Sequence, residues 1–244
     1  MRSGPDEVVV HTRRDAGSEG ELMAREVEAK FQVASEELFD GIRSAGTVAG
    51  YPMESSETVP QRDTYFDTDD ATLLRAGWSL RLREKAGAVL VTFKGPFIDE
   101  HARTEFEEAI TDEQAEALRA GKLSDVDTPA VVAALRHVES GHVHAVLCVD
   151  NVREAWYIDA PCGDGEGSDG RLGQVKLCFD RVAYTTGTDA DAVSAREFEL
   201  EIELQDGDEA LLRKMAQSLA AEYDLSPQSQ SKYQRGIELL GVFA

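Results

Sequence analysis

Apolar and charged residues alternate with a period of two in one segment of the chain after another. In "AREVEAKF", running from Ala24 to Phe31, Glu26, Glu28 and Lys30 take every second position, with Val27, Ala29 and Phe31 between them. Successive side chains of a β-strand point to opposite faces. Such a segment therefore has one apolar face, which must find a core, and one ionic face. The same split recurs. Arg81 and Arg83 oppose Leu80 and Leu82; Thr92 and Lys94 oppose Val91 and Phe93; Arg103, Glu105 and Glu107 oppose Thr104 and Phe106. Lys176 and Asp180 oppose Val175, Leu177 and Phe179, and Glu199, Glu201 and Glu203 oppose Phe198, Leu200, Ile202 and Leu204. Arg153 lies on a further strand.

Between these strands the period changes. "SEELFDGIRSAG" has helical spacing and ends in Gly46, a C-cap candidate. "QRDTYFDT" reads as a strand and "DDATLLRAG" as a short helical turn. "WSLRLREKAGAVLVTFKGP" reads as a hairpin that turns at Ala86–Gly87 and is ended by Pro96. "ARTEFEEAI" is a strand, and "DEQAEALRAG" and "TPAVVAALRHV" are helices, the second with Pro129 in its first turn. "HVHAVLCVDNVREAWYID" reads as one long bent strand or as two abutting ones. After the loop "APCGDGEGSDG" come strands "RLGQVKLCFDRVAY" and "REFELEIELQ", a helix from near Asp208 and another after Ser231. With no repeat or long linker, the expected organisation is a polar tail over 1–22 and one domain over 23–244.

Composition narrows the class. Hydrophobic residues make up 42% of the 244, enough for a core. The 47 acidic against 25 basic residues give a net charge of −22, a surface that repels nucleic acid and anionic membranes. Neither is expected as a partner. The 3 cysteines, without a CxxC pair, suggest neither a disulfide framework nor a thiolate zinc site. The first 22 residues lack the apolar core of a secretory signal, and no apolar run approaches a membrane span. A cytoplasmic location is expected.

Charge then changes the picture of the strands. One reading of the ionic face is a solvated, ion-paired outer surface. In so acidic a chain that surface should be acidic too, yet it carries Lys30, Arg81, Arg83, Lys94, Arg103, Arg153 and Lys176. Arginine suits bidentate recognition of phosphate or carboxylate. If the strands close with their ionic faces inward and the helices cover the apolar exterior, the lumen holds cations facing carboxylates. Such a lumen suits a polyanion bound together with a divalent cation: carboxylates for the metal, Arg and Lys for the phosphate oxygens.

These segments resemble, in their order, the CYTH or triphosphate tunnel metalloenzyme superfamily over roughly residues 24 to 240. The motifs that carry it are "EVEAK", "TYFDT", "LRLR", "TFKGP", "REFELEIEL" and "SKYQRG". The resemblance implies an α+β fold, an eight-stranded antiparallel β-barrel flanked by helices. It implies metal ligation by Glu26, Glu28, Asp180 and two of Glu199, Glu201 and Glu203. It implies phosphate binding by Lys30, Arg81, Arg83, Lys94 and Arg153, and by Lys232 on a C-terminal helix that closes over the tunnel. Lys176 fits the same face, while Arg235 fits the motif or a helix surface equally.

Mg²⁺ or Mn²⁺ is the implied cofactor. The implied reaction is hydrolysis of tripolyphosphate, thiamine triphosphate or a nucleoside triphosphate, with Glu201 or Lys94 taking the water's proton. The same tunnel serves class IV adenylyl cyclases, which make cyclic AMP and pyrophosphate from ATP. The absence of an aromatic- and histidine-bearing extension just before "EVEAK" favours hydrolysis. A non-catalytic polyphosphate-binding module is a third reading. The expected partner is thus a small triphosphate or polyphosphate. Trp78 is expected to pack at a tunnel end, His142 and His144 to form a surface pair, and "GDGEGSDG" to be a connection.

Overall fold

The computed structural model describes residues 27–97, 103–138, 142–162, 172–186 and 195–243. Its strands are β1 (Glu28–Val33), β2 (Thr47–Val48), β3 (Tyr51–Pro52), β4 (Glu54–Asp67), β5 (Ser79–Lys85), β6 (Ala88–Phe97), β7 (Arg103–Ala109), β8 (His144–Pro161), β9 (Leu172–Thr186), β10 (Ala195–Asp206) and β11 (Ser226–Pro227). The helices are α1 (Glu36–Ala45), α2 (Thr72–Arg75), α3 (Asp112–Arg119), α4 (Pro129–Leu135), α5 (Glu209–Tyr223) and α6 (Lys232–Leu240).

One antiparallel sheet of 9 strands, ordered β11-β1-β10-β9-β8-β4-β5-β6-β7, carries the molecule, and β2 and β3 form a separate small hairpin. The expected barrel needs two corrections. A ninth strand, the two-residue β11, joins the eight longer ones. Among the described residues, hydrogen bonds do not close the sheet, because β7 and β11 are its edges. The reason is local: Ser226–Pro227 covers the free edge of β1, and the Gln228 N–H donates to the Lys30 carbonyl at 2.8 Å. That edge is then unavailable to β7.

Turn chemistry sets the register. Ala86 and Gly87 both have positive φ (50° and 79°), the backbone of a tight hairpin turn between β5 and β6. β6 runs through Pro96 to Phe97 rather than stopping there; the register against β7 shifts between Lys94 and Phe97, which accommodates a residue without an N–H. "HAVLCVDNVREAWYIDAP" is one strand of 18 residues, paired with both β4 and β9. β4 begins at Glu54, earlier than its pattern indicated, because a register shift near Ser56 interrupts the alternation. Gly46 caps α1 in the left-handed region, and Thr128 caps α4 ahead of Pro129.

The apolar faces point away from the ionic ones. Ala29, Phe31, Phe179, Leu200 and Ile202 pack with Phe39 and Ile42 of α1 and Leu212 and Met215 of α5. Leu80, Leu82, Val91 and Phe93 pack with Leu118 of α3 and Val131 of α4. Each buried Leu, Ile, Val, Met or Phe among them contributes about 1.5–3 kcal/mol, so helix burial on the outside fixes which way the charges face. α6 is different. Tyr233 and Ile237 pack with Tyr65, Leu147, Val149 and Tyr184, and Tyr65 and Val149 flank Asp63 in the sheet, on the ionic side. α6 thus covers one end of the concave face. Among the described residues, no helix is long and apolar enough to cross a membrane.

Candidate active site

The alternation of β10 directs Glu197, Glu199, Glu201 and Glu203 to one face, and its register sets Glu199 beside Asp180 of β9 and Glu201 beside Lys30 of β1. Carboxylate oxygens of Asp180, Glu199 and Glu201 all lie within 4.8 Å of one another, and all three residues are buried. Unpaired, three buried carboxylates so close would repel strongly. Three cations from this chain hold them. Arg153 donates from Nε to Asp180 Oδ1 (2.8 Å) and from Nη2 to Asp180 Oδ2 (2.5 Å) and Glu201. The Lys232 ammonium lies 2.9 Å from Asp180 and 2.6 Å from Glu201, and also pairs with Glu199. Arg235 bridges Glu197 (2.6 Å) and Glu199 (2.5 Å).

The protonation pattern follows. Burial pushes Glu201 up, but Arg153, Lys232 and Lys30 outweigh it and hold its pKa well below the ordinary carboxylate range. Burial and the charge of Glu201 push Glu199 up, against Lys232 and Arg235. The pair therefore shares negative charge unevenly, as closely coupled carboxylates do. Burial lowers Lys232, yet Asp180, Glu199 and Glu201 raise it well above its usual value.

On the neighbouring wall, Asp63 of β4 faces Arg81 and Arg83 of β5. Arg83 grips it in a fork, Nε to Oδ1 and Nη2 to Oδ2, both at 2.7 Å. Arg81 Nη1 donates to the same carboxylate at 3.3 Å, and its Nη2 to Thr92 and Glu107 at 3.2 and 3.3 Å. Arg81 Nε is buried with no hydrogen-bond partner in the protein. Lys94 pairs with Glu105 at 2.8 Å and Lys30 with Glu28 at 2.7 Å. A cavity of about 300 Å³ is lined by the cationic Lys30, Arg81, Arg83, Lys94, Arg153 and Lys232, together with Glu28 and Glu201. The cations thus share this space with Glu201 of the carboxylate cluster, while Asp180 and Glu199 lie behind it.

The structure brings together most of the residues singled out from the sequence. Asp180, Glu199 and Glu201 converge; Glu28 lies on the adjoining strand, on the cavity wall. Glu203 stands beside Glu28 and Lys176 in the register, outside the three-carboxylate group. Lys176 does not line the cavity. Glu26 and the "GDGEGSDG" segment lie outside the described residues. Trp78 lines the cavity and also packs, stacked on Phe93 at 4.6 Å and against His137 at 4.5 Å. His142 and His144 are exposed, and His144 Nδ1 is 3.4 Å from Asp69.

Asp63 was not legible as a site residue. Its strand position, opposite Arg83 and diagonal to Arg81, appears only once β4 and β5 are paired; the nearest signal was its place in "QRDTYFDT" beside two inward neighbours, Gln61 and Tyr65. Tyr233, likewise unmarked, stacks on Tyr65 at 4.7 Å and donates to Asp67 at 3.0 Å, anchoring the first turn of α6. Gly236 permits the approach of that helix: a Cβ there would lie 2.6 Å from Leu147 and from Tyr184.

The CYTH domain profile matches residues 24–237. The chain belongs to the CYTH family. Among solved structures, it is similar to a protein described as an adenylate cyclase candidate from Bacillus halodurans, at 21% identity and a TM-score of 0.59, covering 86% of this chain and 96% of that one. It is similar also to a Hippeastrum protein, proposed as an adenylyl cyclase and described as having a dominant triphosphatase activity. That match has 16% identity and a TM-score of 0.56, covering 87% of this chain and 95% of that one. At these identities the likeness is one of fold. Comparison with curated proteins gave no match. As a CYTH protein, this chain has the family's tunnel architecture, with the ionic faces turned inward.

Proposed function

We propose that this protein is a metal-dependent triphosphatase that releases orthophosphate from a linear triphosphate group. The observation that carries the reading is a cavity walled by arginines and lysines onto which Glu201, one member of a buried carboxylate triad, opens. A triphosphate needs both: cations for its oxygens and a divalent ion to offset charge that Arg and Lys leave over.

The residues fit such an ion. Asp180, Glu199 and Glu201 offer hard oxygen donors within 4.8 Å of one another, as Mg²⁺ or Mn²⁺ requires. The Lys232 ammonium already sits among them as a monovalent occupant. A bound ion would supply charge neutralisation and activation of water there. The chain's own cations do the rest. Arg81, Arg83, Lys30, Lys94 and Arg153 orient the phosphates and stabilise charge spread over the transferred phosphoryl oxygens. The buried Nε–H of Arg81 is a donor that a phosphate oxygen would satisfy. Water's oxygen bonds to the terminal phosphorus, the anhydride P–O bond breaks, and the shortened chain leaves with the bonding pair. Glu201 is the better placed group to receive the proton: it lines the cavity beside the cluster, whereas Lys94 pairs with Glu105 at 2.8 Å.

A product assay tests this with tripolyphosphate, thiamine triphosphate and ATP, each with Mg²⁺, Mn²⁺ or EDTA. Metal-dependent orthophosphate release is expected. Cyclic AMP with pyrophosphate from ATP would replace the reading by a cyclase, and binding without product would replace it by a binding module.

A further inference from the structure

Among the described residues, three buried side-chain atoms lack a hydrogen-bond partner in the protein: Arg81 Nε, and both Oδ1 and Nδ2 of Asn151. All three belong to the inward face of the sheet. Arg81 lines the cavity. Asn151 shares its face of β8 with Arg153, two residues on, while Val152 between them is 41% exposed on the other face. The cross-strand neighbours of Asn151 are Gln61 on β4 and Val182 on β9. Gln61 and Arg153 line the cavity. Asn151 is not part of that wall but is set between them, 2% exposed, so that a small molecule on its amide would face the cavity between the two.

Buried polar groups are hydrogen-bonded as a rule, and an amide side chain offers an acceptor oxygen and two N–H donors. The carboxylates nearest in the register do not serve it. Asp63 and Asp180 stand diagonal to Asn151 on its two neighbouring strands, and forks from Arg83 and Arg153 hold them. Ionised, they also have no proton to give Oδ1. The partner of this amide therefore comes from outside the chain. The orphaned atoms differ in what they require. Arg81 Nε is a donor only, matched to an ionised phosphate oxygen. Asn151 requires a partner that both donates and accepts. An ionised triphosphate accepts only, whereas water does both. The two residues are thus matched to the two reactants of hydrolysis.

We infer that Asn151 holds the water that attacks the triphosphate. Its Oδ1 accepts one O–H of that water and so fixes where the other O–H and the free lone pair point. Water's oxygen bonds to the terminal phosphorus, the anhydride P–O bond breaks, and the proton passes to Glu201, which Arg153 ties to the same part of the wall. The amide itself exchanges no proton. The inference rests on the triphosphatase reading and adds to it the residue that places the second reactant.

The test combines steady-state kinetics of the full chain on tripolyphosphate, with Mg²⁺ or Mn²⁺, and urea unfolding. Asn151→Leu should lower kcat about a hundredfold, the scale of a misplaced reactant, with KM unchanged. Its urea midpoint should be equal to that of wild type or higher, because an orphaned amide has been replaced by an apolar group of similar shape. Asn151→Ala, which cannot overfill the site, should repeat the loss of kcat, and Asn151→Ser, which keeps a donor and an acceptor, should recover part of it. A raised KM with kcat kept would overturn the inference, since the amide would then hold phosphate rather than water. A urea midpoint that falls in step with kcat in all three variants would overturn it as well, by making the amide a structural group. Wild type that releases orthophosphate while Asn151→Ala and Asn151→Leu match it removes the inference alone; wild type that releases none removes the triphosphatase reading and the inference together.

Discussion

Asp63→Asn removes one charge from the most enclosed ion pair of the β4–β5 wall, and its effect can be worked from the structure. Asp63 is 2% exposed and receives the Arg83 fork at 2.7 Å. Burial raises its pKa, but Arg81 and Arg83 overcome that and bring it from 3.8 to about 2. A depression of that size corresponds to about 2 kcal/mol of folding stability. Because the folded value lies below the unfolded one, the contribution is fully present above pH 3.8 and is lost as pH falls through about 2. Roughly half should remain at pH 3. Urea unfolding of wild type and variant, followed by circular dichroism at pH 7 and pH 3, reads it directly. The expected gap is at least about 2 kcal/mol at pH 7, since the buried Arg81 and the half-buried Arg83 also lose their counter-charge, and it should narrow markedly at pH 3. A gap of the same size at both values would mean that shape rather than charge holds Asp63, and no gap at pH 7 would refute the pairing altogether.

The other expectations concern the metal cluster and the helix over it. Lys232→Met removes the ammonium that shares the carboxylate triad, so Mn²⁺ should bind roughly tenfold more tightly without substrate, a change of about 1.4 kcal/mol, while tripolyphosphate binds more weakly; titration of each ligand separates the two, and weaker Mn²⁺ binding would contradict the competition. Gly236→Ala places a methyl group 2.6 Å from Leu147 and Tyr184 and should cost about 1–3 kcal/mol through overpacking, seen as a lower unfolding midpoint in urea. EDTA should abolish orthophosphate release and added Mg²⁺ or Mn²⁺ restore it; release that persists in EDTA would argue that the carboxylates do not hold a required ion. Glu199→Gln together with Glu201→Gln should remove Mn²⁺ binding while the far-ultraviolet spectrum is kept.

The period-two alternation was enough to establish strands with one ionic and one apolar face, because the pleat leaves no other way to sort residues such as Arg81 and Leu82. It also gave the turn at Ala86–Gly87, the Gly46 cap and the Pro129 helix start, all of which are set by local backbone chemistry. The order of the motifs pointed to the CYTH family. The sequence could not give which residues meet across strands. Glu199, Glu201 and Glu203 alternate identically, and only the register against β9 sets Glu199 next to Asp180 and carries Glu203 out of the triad. Asp63 went unmarked for the same reason: a strand's own pattern says which face a side chain takes, but its neighbour is fixed by pairing with a distant segment. Closure was likewise a tertiary outcome, since Ser226–Pro227 covers the β1 edge that a sealed barrel would need. The faces of the sheet were written along the chain; the distances that make a site of them came from the packing of helices outside and of α6 within.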